Sequence, residues 1–98
     1  MTLLRSAPPG IKSWVVYILQ NADGLLYTGI TNDLPRRVGR HNRGQGARYT
    51  KGRGPWSVAY TEPAEGHGTA LRRERAIKKL SRAQKLRLLD TQGAPAPA

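Results

Sequence analysis

The pattern of hydrophobic and polar positions in the first half of the chain predicts two strands and a helix. Residues 14–19 (WVVYIL) form an unbroken apolar run, which is typical of a central strand covered on both faces. Residues 21–24 (NADG) favour a turn, so residues 25–31 predict a second strand that pairs with the first in a β-hairpin. Because residues 32–33 (ND) can cap a helix, we expect a helix from residue 34 to about residue 42.

The second half of the chain predicts one more strand and two helices. Residues 43–55 are rich in glycine and basic residues, which favours a long loop, and the alternating residues 56–60 predict a third, shorter strand. A helix is expected over residues 69–80, after a Gly-His-Gly break. Residues 81–84 (SRAQ) have the form of a capping box, so another helix should begin there. The order ββαβαα predicts an α+β fold, with a small three-stranded antiparallel sheet flanked by helices.

Length and the composition of the two ends predict a single domain between two tails. A chain of 98 residues has room for one hydrophobic core. The Pro- and Gly-containing ends propagate neither helix nor strand and offer few side chains that could anchor them. We therefore expect the folded domain over residues 12–90, with flexible tails over residues 1–11 and 91–98.

Composition excludes several functional classes. The absence of cysteine excludes a disulfide scaffold, a cysteine zinc site and a cysteine nucleophile. No apolar run approaches the roughly 20 residues that span a bilayer, so no membrane association is expected from this source. Residues 1–12 lack the apolar segment of a signal peptide, and we therefore expect a cytoplasmic protein.

The charge of the chain predicts a polyanionic partner. Lysine and arginine number 17 against 6 acidic residues, which gives a formal net charge of +11. Residues 34–61 carry seven basic residues and no acid, and residues 66–89 carry eight basic residues and the single acid Glu74. A solvated surface is the ordinary explanation for one such run, but two runs on one small domain favour nucleic acid. A membrane or protein surface fits less well, because the cations do not share one amphipathic helix.

Glu74 is the acid whose position is unusual. On the predicted helix it falls at the centre of the apolar stripe formed by Ala70, Leu71 and Ile77. A carboxylate on a buried face needs a partner, since burying it alone is costly. The partner is either a basic side chain, such as Lys78 one turn later, or a divalent cation of the Mg²⁺ type.

The first predicted helix places basic residues beside its apolar contacts. Arg37 and His41 share a face with Leu34 and Val38, one turn apart. A structural explanation is that Arg37 pairs with Glu74 or with a C-terminal carbonyl and that His41 is an ordinary helix-end histidine. Alternatively, the pair clamps a phosphate and donates a proton. The other arginines face elsewhere and are expected to contact phosphate or solvent: Arg36, Arg40 and Arg43.

Two tyrosines in the hairpin complete the candidate site. A three-residue connection centred on Ala22 would place Tyr17 and Tyr27 directly opposite each other on one face. A four-residue connection would instead place them on different faces. Core packing is the usual role of a strand tyrosine, and a free tyrosine, with a pKa of about 10, is a poor base at neutral pH. Catalysis by either tyrosine therefore requires cationic charge nearby.

Taken together, these residues resemble the GIY-YIG nuclease superfamily. Residues 15–17 (VVY) stand at the first tripeptide of the name and residues 27–29 (YTG) at the second. Arg37, His41 and Glu74 match the family's arginine, histidine and metal-binding glutamate. The resemblance covers residues 13–89, and residues 46–55 (GARYTKGRGP) resemble the small, stand-alone, mostly bacterial branch. Several family members carry an asparagine near the end of the domain, whereas this chain has none after Asn42.

The resemblance implies a metal-dependent endonuclease that hydrolyses phosphodiester bonds in DNA. One Mg²⁺ or Mn²⁺ ion would be held by Glu74, Arg37 would bind the phosphate, and His41 would position or protonate groups nearby. Either Tyr17 or Tyr27 would activate the attacking water. Residues expected to contact the nucleic acid are Gly29, Arg36, Arg40, Arg43, Arg48, Tyr49, Lys51, Arg53 and Lys78.

The target of such an enzyme stays open at this stage. Single-stranded, branched and damaged DNA are candidate substrates, DNA repair is a candidate setting, and RNA is an alternative substrate. A protein partner could supply specificity, because so small a domain offers little surface for choosing a target. The alternative function is a nucleic-acid-binding module on the same fold, with little or no turnover.

Overall fold

Residues 13–93 are described by a computed structural model, which confirms the predicted α+β class and the order ββαβαα. The elements are β1 (Trp14–Asn21), β2 (Leu26–Thr31), α1 (Leu34–Asn42), a 3-10 turn (Arg48–Thr50), β3 (Trp56–Ala64), α2 (His67–Lys78) and α3 (Arg82–Gly93). The helices in this part of the chain are too short and too polar to cross a membrane.

The three strands form an antiparallel sheet in the order β2-β1-β3, with helices on both faces. Val16 and Ile18 face α2 and α3, whereas Tyr17 and Leu19 face α1. Because β1 is central and covered on both sides, its sequence is apolar at successive positions. The core of the α2/α3 face also contains Tyr60, Ala70, Ile77 and Leu89, and that of the α1 face contains Trp56 with Leu34 and Val38.

The hairpin between β1 and β2 has a different register from either predicted pairing. Tyr17 pairs with Gly29 and Leu19 with Tyr27, so the two tyrosines share a face but lie diagonally. The connection is centred one residue later than expected, because the Asn21 side chain accepts hydrogen bonds from the backbone N–H groups of residues 23 and 25 at 3.1 and 2.8 Å. Gly24 closes the turn in the left-handed region, at a φ of 83°.

Strand β3 is longer than predicted and contains a bulge. Ile18 pairs with Tyr60 and Leu19 with Val58, which leaves Ala59 as an extra residue. The extra residue shifts the residues after it to the other face of the sheet. Trp56 therefore packs on the α1 side and Tyr60 on the α2/α3 side. The predicted simple alternation over residues 56–60 was wrong.

Capping side chains begin two of the helices as the sequence predicts. Asp33 caps α1 by accepting a hydrogen bond from the Arg36 N–H at 3.3 Å. Ser81 and Gln84 form a reciprocal capping box before α3, with distances of 2.9 and 3.1 Å between each backbone nitrogen and the other residue's side-chain oxygen.

The boundaries of α2 and α3 differ from the predicted ones. Helix α2 begins at His67 and ends at Lys78, two residues earlier at each end than predicted. Helix α3 continues to Gly93, beyond the predicted domain end at residue 90, and the Gln92 side chain holds this end by pairing with the Thr61 backbone. Residues 1–12 and 94–98, which include most of both predicted tails, lie outside the described residues.

Candidate active site

A buried hydrogen bond joins Tyr17 of the central strand to His41 in the last turn of α1. The Tyr17 hydroxyl lies 2.9 Å from His41 Nε2, and each residue is only 1% exposed. The histidine is brought there because α1 packs its Leu34 and Val38 face on the sheet, as its sequence pattern predicts. His41 is therefore a buried partner of Tyr17 and not an exposed helix-end residue.

The second nitrogen of the His41 ring is also bonded. Its Nδ1 lies 2.8 Å from the Thr50 hydroxyl, which in turn donates to the Ala47 carbonyl oxygen at 2.8 Å. Thr50 is fully buried at the end of the 3-10 turn, and its own carbonyl accepts the Trp56 indole N–H at 3.0 Å. Both ring nitrogens of His41 thus have fixed partners.

Burial shifts the pKa values of Tyr17 and His41 in opposite directions. Loss of water raises the pKa of Tyr17, the nearby Tyr27 and Glu74 raise it further, and only the positive charge of Arg37 lowers it. Burial lowers the pKa of His41, and the charges of Arg37 and Arg40 add to this effect. Both groups are consequently neutral near pH 7, with the proton on the Tyr17 oxygen.

Tyr27 and Gly29 of β2 complete the wall around Tyr17. The Tyr27 ring is half-buried, with its centroid 5.0 Å from that of His41 and 6.4 Å from that of Tyr17. Gly29 lies under the Tyr17 ring, where a Cβ would come within 2.6 Å of the Tyr17 hydroxyl oxygen. The glycine therefore makes room for Tyr17, which accounts for its place in the second tripeptide.

Arg37 is exposed at the edge of this group. With Arg36 and Arg40 it lines a shallow pocket of about 190 Å³ beside Asp33. The salt bridge from Arg37 to Glu74 that the sequence left open is absent from residues 13–93. Arg37 is therefore close enough to influence Tyr17 and His41 electrostatically, yet its guanidinium is not held by that carboxylate.

Glu74 lies on α2, which packs on the opposite face of the sheet from α1. Its side chain is 16% exposed, and its Oε2 lies 3.2 Å from Lys78 Nζ, the ion pair that the sequence offered as the structural explanation. Its negative charge contributes to the raised pKa of Tyr17, so the carboxylate lies within electrostatic range of that hydroxyl.

The donor set around Glu74 fits a magnesium-type ion only if the substrate completes it. Within residues 13–93 no three His, Asp or Glu side chains cluster closely enough to hold a metal on their own. Mg²⁺ commonly keeps several waters and binds through one or two carboxylates together with substrate phosphates. A single carboxylate on a basic helix, with Lys78 at 3.2 Å, matches that arrangement.

The loop of residues 43–55, called the basic loop below, forms a surface next to the tyrosines together with Lys78 of α2 and Lys85 of α3. Tyr49 is 42% exposed and stacks near-parallel to Tyr27, with ring centroids 6.1 Å apart. The Arg53 guanidinium lies 5.1 Å from the Tyr49 ring centroid and donates to the Tyr49 carbonyl at 2.7 Å. A groove beside these rings is also lined by Lys78 and Lys85.

The remaining predicted contact residues are spread along α1 and the loop. Arg40 and Arg43 are exposed and hydrogen bond to Gln45, which draws the start of the loop onto α1. Exposed side chains also occur at Arg36, Arg48 and Lys51. Sequence reasoning did not single out Thr50 or Lys85. Thr50 lies in the segment 46–55, and the resemblance of this segment to the small stand-alone branch was the available signal.

The fold and this set of side chains define the GIY-YIG class of domain. The ββαβαα order brings Tyr17, Tyr27 and His41 into contact, with Arg37 and Glu74 in electrostatic range. Residues 13–87 match the family described as the GIY-YIG catalytic domain, and the chain belongs to this family.

Relatives of similar size occur in archaea and bacteria. The chain is 51% identical over 70 residues to a UPF0213 protein of Halobacterium salinarum, covering 71% of this chain and 91% of the relative. It is 51% identical over 79 residues to a UPF0213 protein of Staphylococcus aureus, covering 81% and 96%. The solution structure of a UPF0213 protein from Bacillus halodurans is similar with a TM-score of 0.56 at 42% identity, covering 85% of this chain and 88% of that one.

Proposed function

We propose that the protein is an endonuclease that hydrolyses phosphodiester bonds in DNA with the help of Mg²⁺ or Mn²⁺. The observation that carries the proposal is the buried 2.9 Å hydrogen bond between Tyr17 and His41, with the charge of Arg37 acting on both. A neutral histidine bonded to a phenol beside an exposed arginine can accept a proton while the arginine binds an anion.

In this proposal Tyr17 and His41 act together as the proton acceptor. The attacking water gives its proton to the Tyr17 oxygen while Tyr17 passes its own proton to His41 Nε2. The water oxygen bonds to phosphorus, the bond from phosphorus to the 3′ oxygen breaks, and the 3′ oxygen leaves with the bonding electrons and takes a proton from solvent. Tyr27 is half-buried, whereas Tyr17 is only 1% exposed, so Tyr27 is the more accessible of the two to solvent. Tyr27 would therefore orient the attacking water.

Arg37 would bind the scissile phosphate. Its positive charge lowers the pKa of His41, which makes His41 a weaker base while the site is empty of substrate. A phosphate bound to Arg37 would neutralise that charge and make His41 more basic at the moment when it is needed. Substrate binding and proton acceptance are coupled in this way through one side chain.

Glu74 would hold the divalent cation. A cation bound there would supply positive charge that stabilises the scissile phosphate and the leaving 3′ oxygen. Lys78, now 3.2 Å from Glu74 Oε2, would then be released toward the nucleic acid. The lysine thus balances the charge of the carboxylate in the free protein.

The strand would lie across the basic surface beside the tyrosines. Tyr49 offers an exposed ring on which a base can stack, and Arg53 and Lys78 border it. Gly29 would act indirectly by admitting the Tyr17 ring. The remaining phosphate contacts would come from Arg36, Arg40, Arg43, Arg48 and Lys51.

The test is cleavage of single-stranded, duplex and branched DNA, and of RNA, with Mg²⁺, with Mn²⁺ and with EDTA. We expect metal-dependent cutting that falls by about a hundredfold or more in Glu74→Ala, with binding retained. Glu65→Ala, which removes an exposed carboxylate, is the matched control and should cut normally. Binding without cutting by the wild type on every substrate would contradict the proposal.

The ion pair of Glu74 with Lys78 favours one alternative, a nucleic-acid-binding module without turnover. If the pair persists, the carboxylate stays occupied and the domain serves only to hold a strand. Lys78→Ala distinguishes the two, because it should strengthen Mn²⁺ binding, read by titration calorimetry, if Glu74 is a ligand. On the alternative, Lys78→Ala only weakens nucleic-acid binding.

A further inference from the structure

The segment 46–50 (GARYT) packs against the side of the His41 ring that faces away from Tyr17. Thr50 Oγ1 lies 2.8 Å from His41 Nδ1, and the Thr50 side chain is fully buried. Gly46 lies against the same ring edge, where any Cβ would overlap Nδ1. The segment therefore contacts His41 directly. The sequence alone did not predict this contact for any residue of the segment.

The hydrogen bonds of Thr50 determine which nitrogen of His41 carries the proton. A threonine hydroxyl has one proton, and the geometry directs it to the Ala47 carbonyl at 2.8 Å. The Thr50 oxygen can then only accept from His41, so Nδ1 carries the proton. In the neutral ring Nε2 has the free lone pair, and it faces the Tyr17 hydroxyl at 2.9 Å.

The opposite arrangement costs one of the hydrogen bonds around the Thr50 hydroxyl. With the proton on Nε2, Tyr17 would have to accept, and Thr50 would have to turn its proton to Nδ1. The Ala47 carbonyl would keep the Thr50 backbone N–H at 3.0 Å but lose the Thr50 hydroxyl, which would leave two acceptor oxygens 2.8 Å apart with no proton between them. Arg37 and Arg40 act on the ring only through their charge, and neither is bonded to a ring nitrogen among the described residues.

We propose that Thr50 is a positioning residue that holds His41 as the Nδ1–H tautomer, so that Nε2 is free to take the proton of Tyr17. Gly46 and the carbonyl of Ala47 complete this function by letting the turn approach the ring and by orienting the hydroxyl. The proposal rests on the proposed function for its catalytic consequence. The tautomer itself is a property of the folded protein and is read without substrate.

The direct test is NMR of the full chain labelled with ¹⁵N-histidine at a pH where both histidines are neutral. We expect His41 of the wild type to show a protonated Nδ1 and an unprotonated Nε2. In Thr50→Val the acceptor is lost and the Nε2–H form should become populated, whereas Thr50→Ser should keep the wild-type pattern. A wild-type spectrum with the proton on Nε2, or an unchanged tautomer in Thr50→Val, would overturn the proposal.

Two controls separate this effect from a general loss of structure. His67, which is exposed and packs on Trp14, is the second histidine of the chain and its signals should stay unchanged in all variants. Thr31→Val removes another buried hydroxyl, one that accepts from the Asp33 N–H at 3.0 Å, and should leave the His41 tautomer as it is. If Thr50→Val does not fold, the wild-type and Thr50→Ser spectra still decide the tautomer.

Kinetics test the consequence for catalysis. Thr50→Val should lower kcat by about tenfold to a hundredfold, as when a partner that orients a metal-bound histidine is removed, with little change in KM. Thr50→Ser should restore kcat. A rise in KM at unchanged kcat would contradict the positioning role. Absence of cleavage by the wild type would count against the proposed function alone, since the tautomer is measured independently.

Discussion

At the scale of single residues, the candidate site is centred on two buried groups joined by one hydrogen bond. Burial raises the pKa of Tyr17 and lowers that of His41, so the resting pair is neutral and the proton stays on the tyrosine. Neither residue is an effective base in that state. Arg37 is an exposed residue whose charge acts on both groups. Under the proposed function, binding of the substrate phosphate to Arg37 would therefore make His41 more basic.

Removing each tyrosine hydroxyl separately decides which tyrosine receives the proton. Tyr17→Phe deletes the donor to His41 and should lower kcat by about a hundredfold to a thousandfold, in the range of general base catalysis. Tyr27→Phe keeps the ring packing and should cost less, because its hydroxyl is not bonded to His41. Steady-state cleavage kinetics give the comparison. A larger loss in Tyr27→Phe would reverse the two assignments.

The candidate residues on regular elements could be predicted from the sequence, whereas Thr50 could not. Tyr17, Arg37 and Glu74 lie on a strand and two helices, where spacing and resemblance indicate their positions. The contact of Thr50 with His41 depends on how an irregular loop folds back over α1, and no periodicity describes such a loop. The Thr50 hydroxyl is oriented by its hydrogen bond to the Ala47 carbonyl, a backbone group that every residue type has.

At the scale of elements, small backbone features decide which side chains meet. The types and order of the strands and helices follow from hydrophobic patterning and capping residues, and both are confirmed. The hairpin register does not follow, because it is set by the Asn21 side chain and by Gly24, and the bulge at Ala59 exchanges the faces of β3. A register one residue different would have separated Tyr17 from Tyr27.

The start of α3 is the element boundary for which the sequence makes a quantitative prediction. Ser81→Ala removes one half of the capping box and should lower the free energy of unfolding by about 1 kcal/mol. Ser57→Ala, which removes an exposed hydroxyl on β3, is the control and should change it by less than about 0.5 kcal/mol. Urea denaturation of both variants provides the measurement. Equal effects would mean that the capping box does not stabilise α3.

At the scale of the whole molecule, a chain with a net charge of +11 places the Glu74 carboxylate within electrostatic range of Tyr17. The Halobacterium and Staphylococcus relatives align over 91% and 96% of their own lengths, so those proteins consist of little beyond this domain. On this chain the surface that adjoins the tyrosines is the exposed Tyr49 ring with its basic border.

That surface makes a prediction for the salt dependence of binding. Each neutralised phosphate should contribute a slope of about −0.9 to log K against log salt on duplex DNA, and about −0.7 on a single strand. Lys51 is exposed in the basic loop. If Lys51 binds a phosphate, Lys51→Ala should make the slope on duplex DNA less steep by about 0.9, the contribution of one phosphate contact. Arg72→Ala is the control, because Arg72 lies on α2 and is hydrogen bonded to Thr69. Fluorescence anisotropy with labelled single-stranded and duplex DNA measures both slopes. Affinity that does not change with salt would exclude phosphate binding as the use of the charge, and an equal loss in both variants would exclude the basic loop as the binding surface.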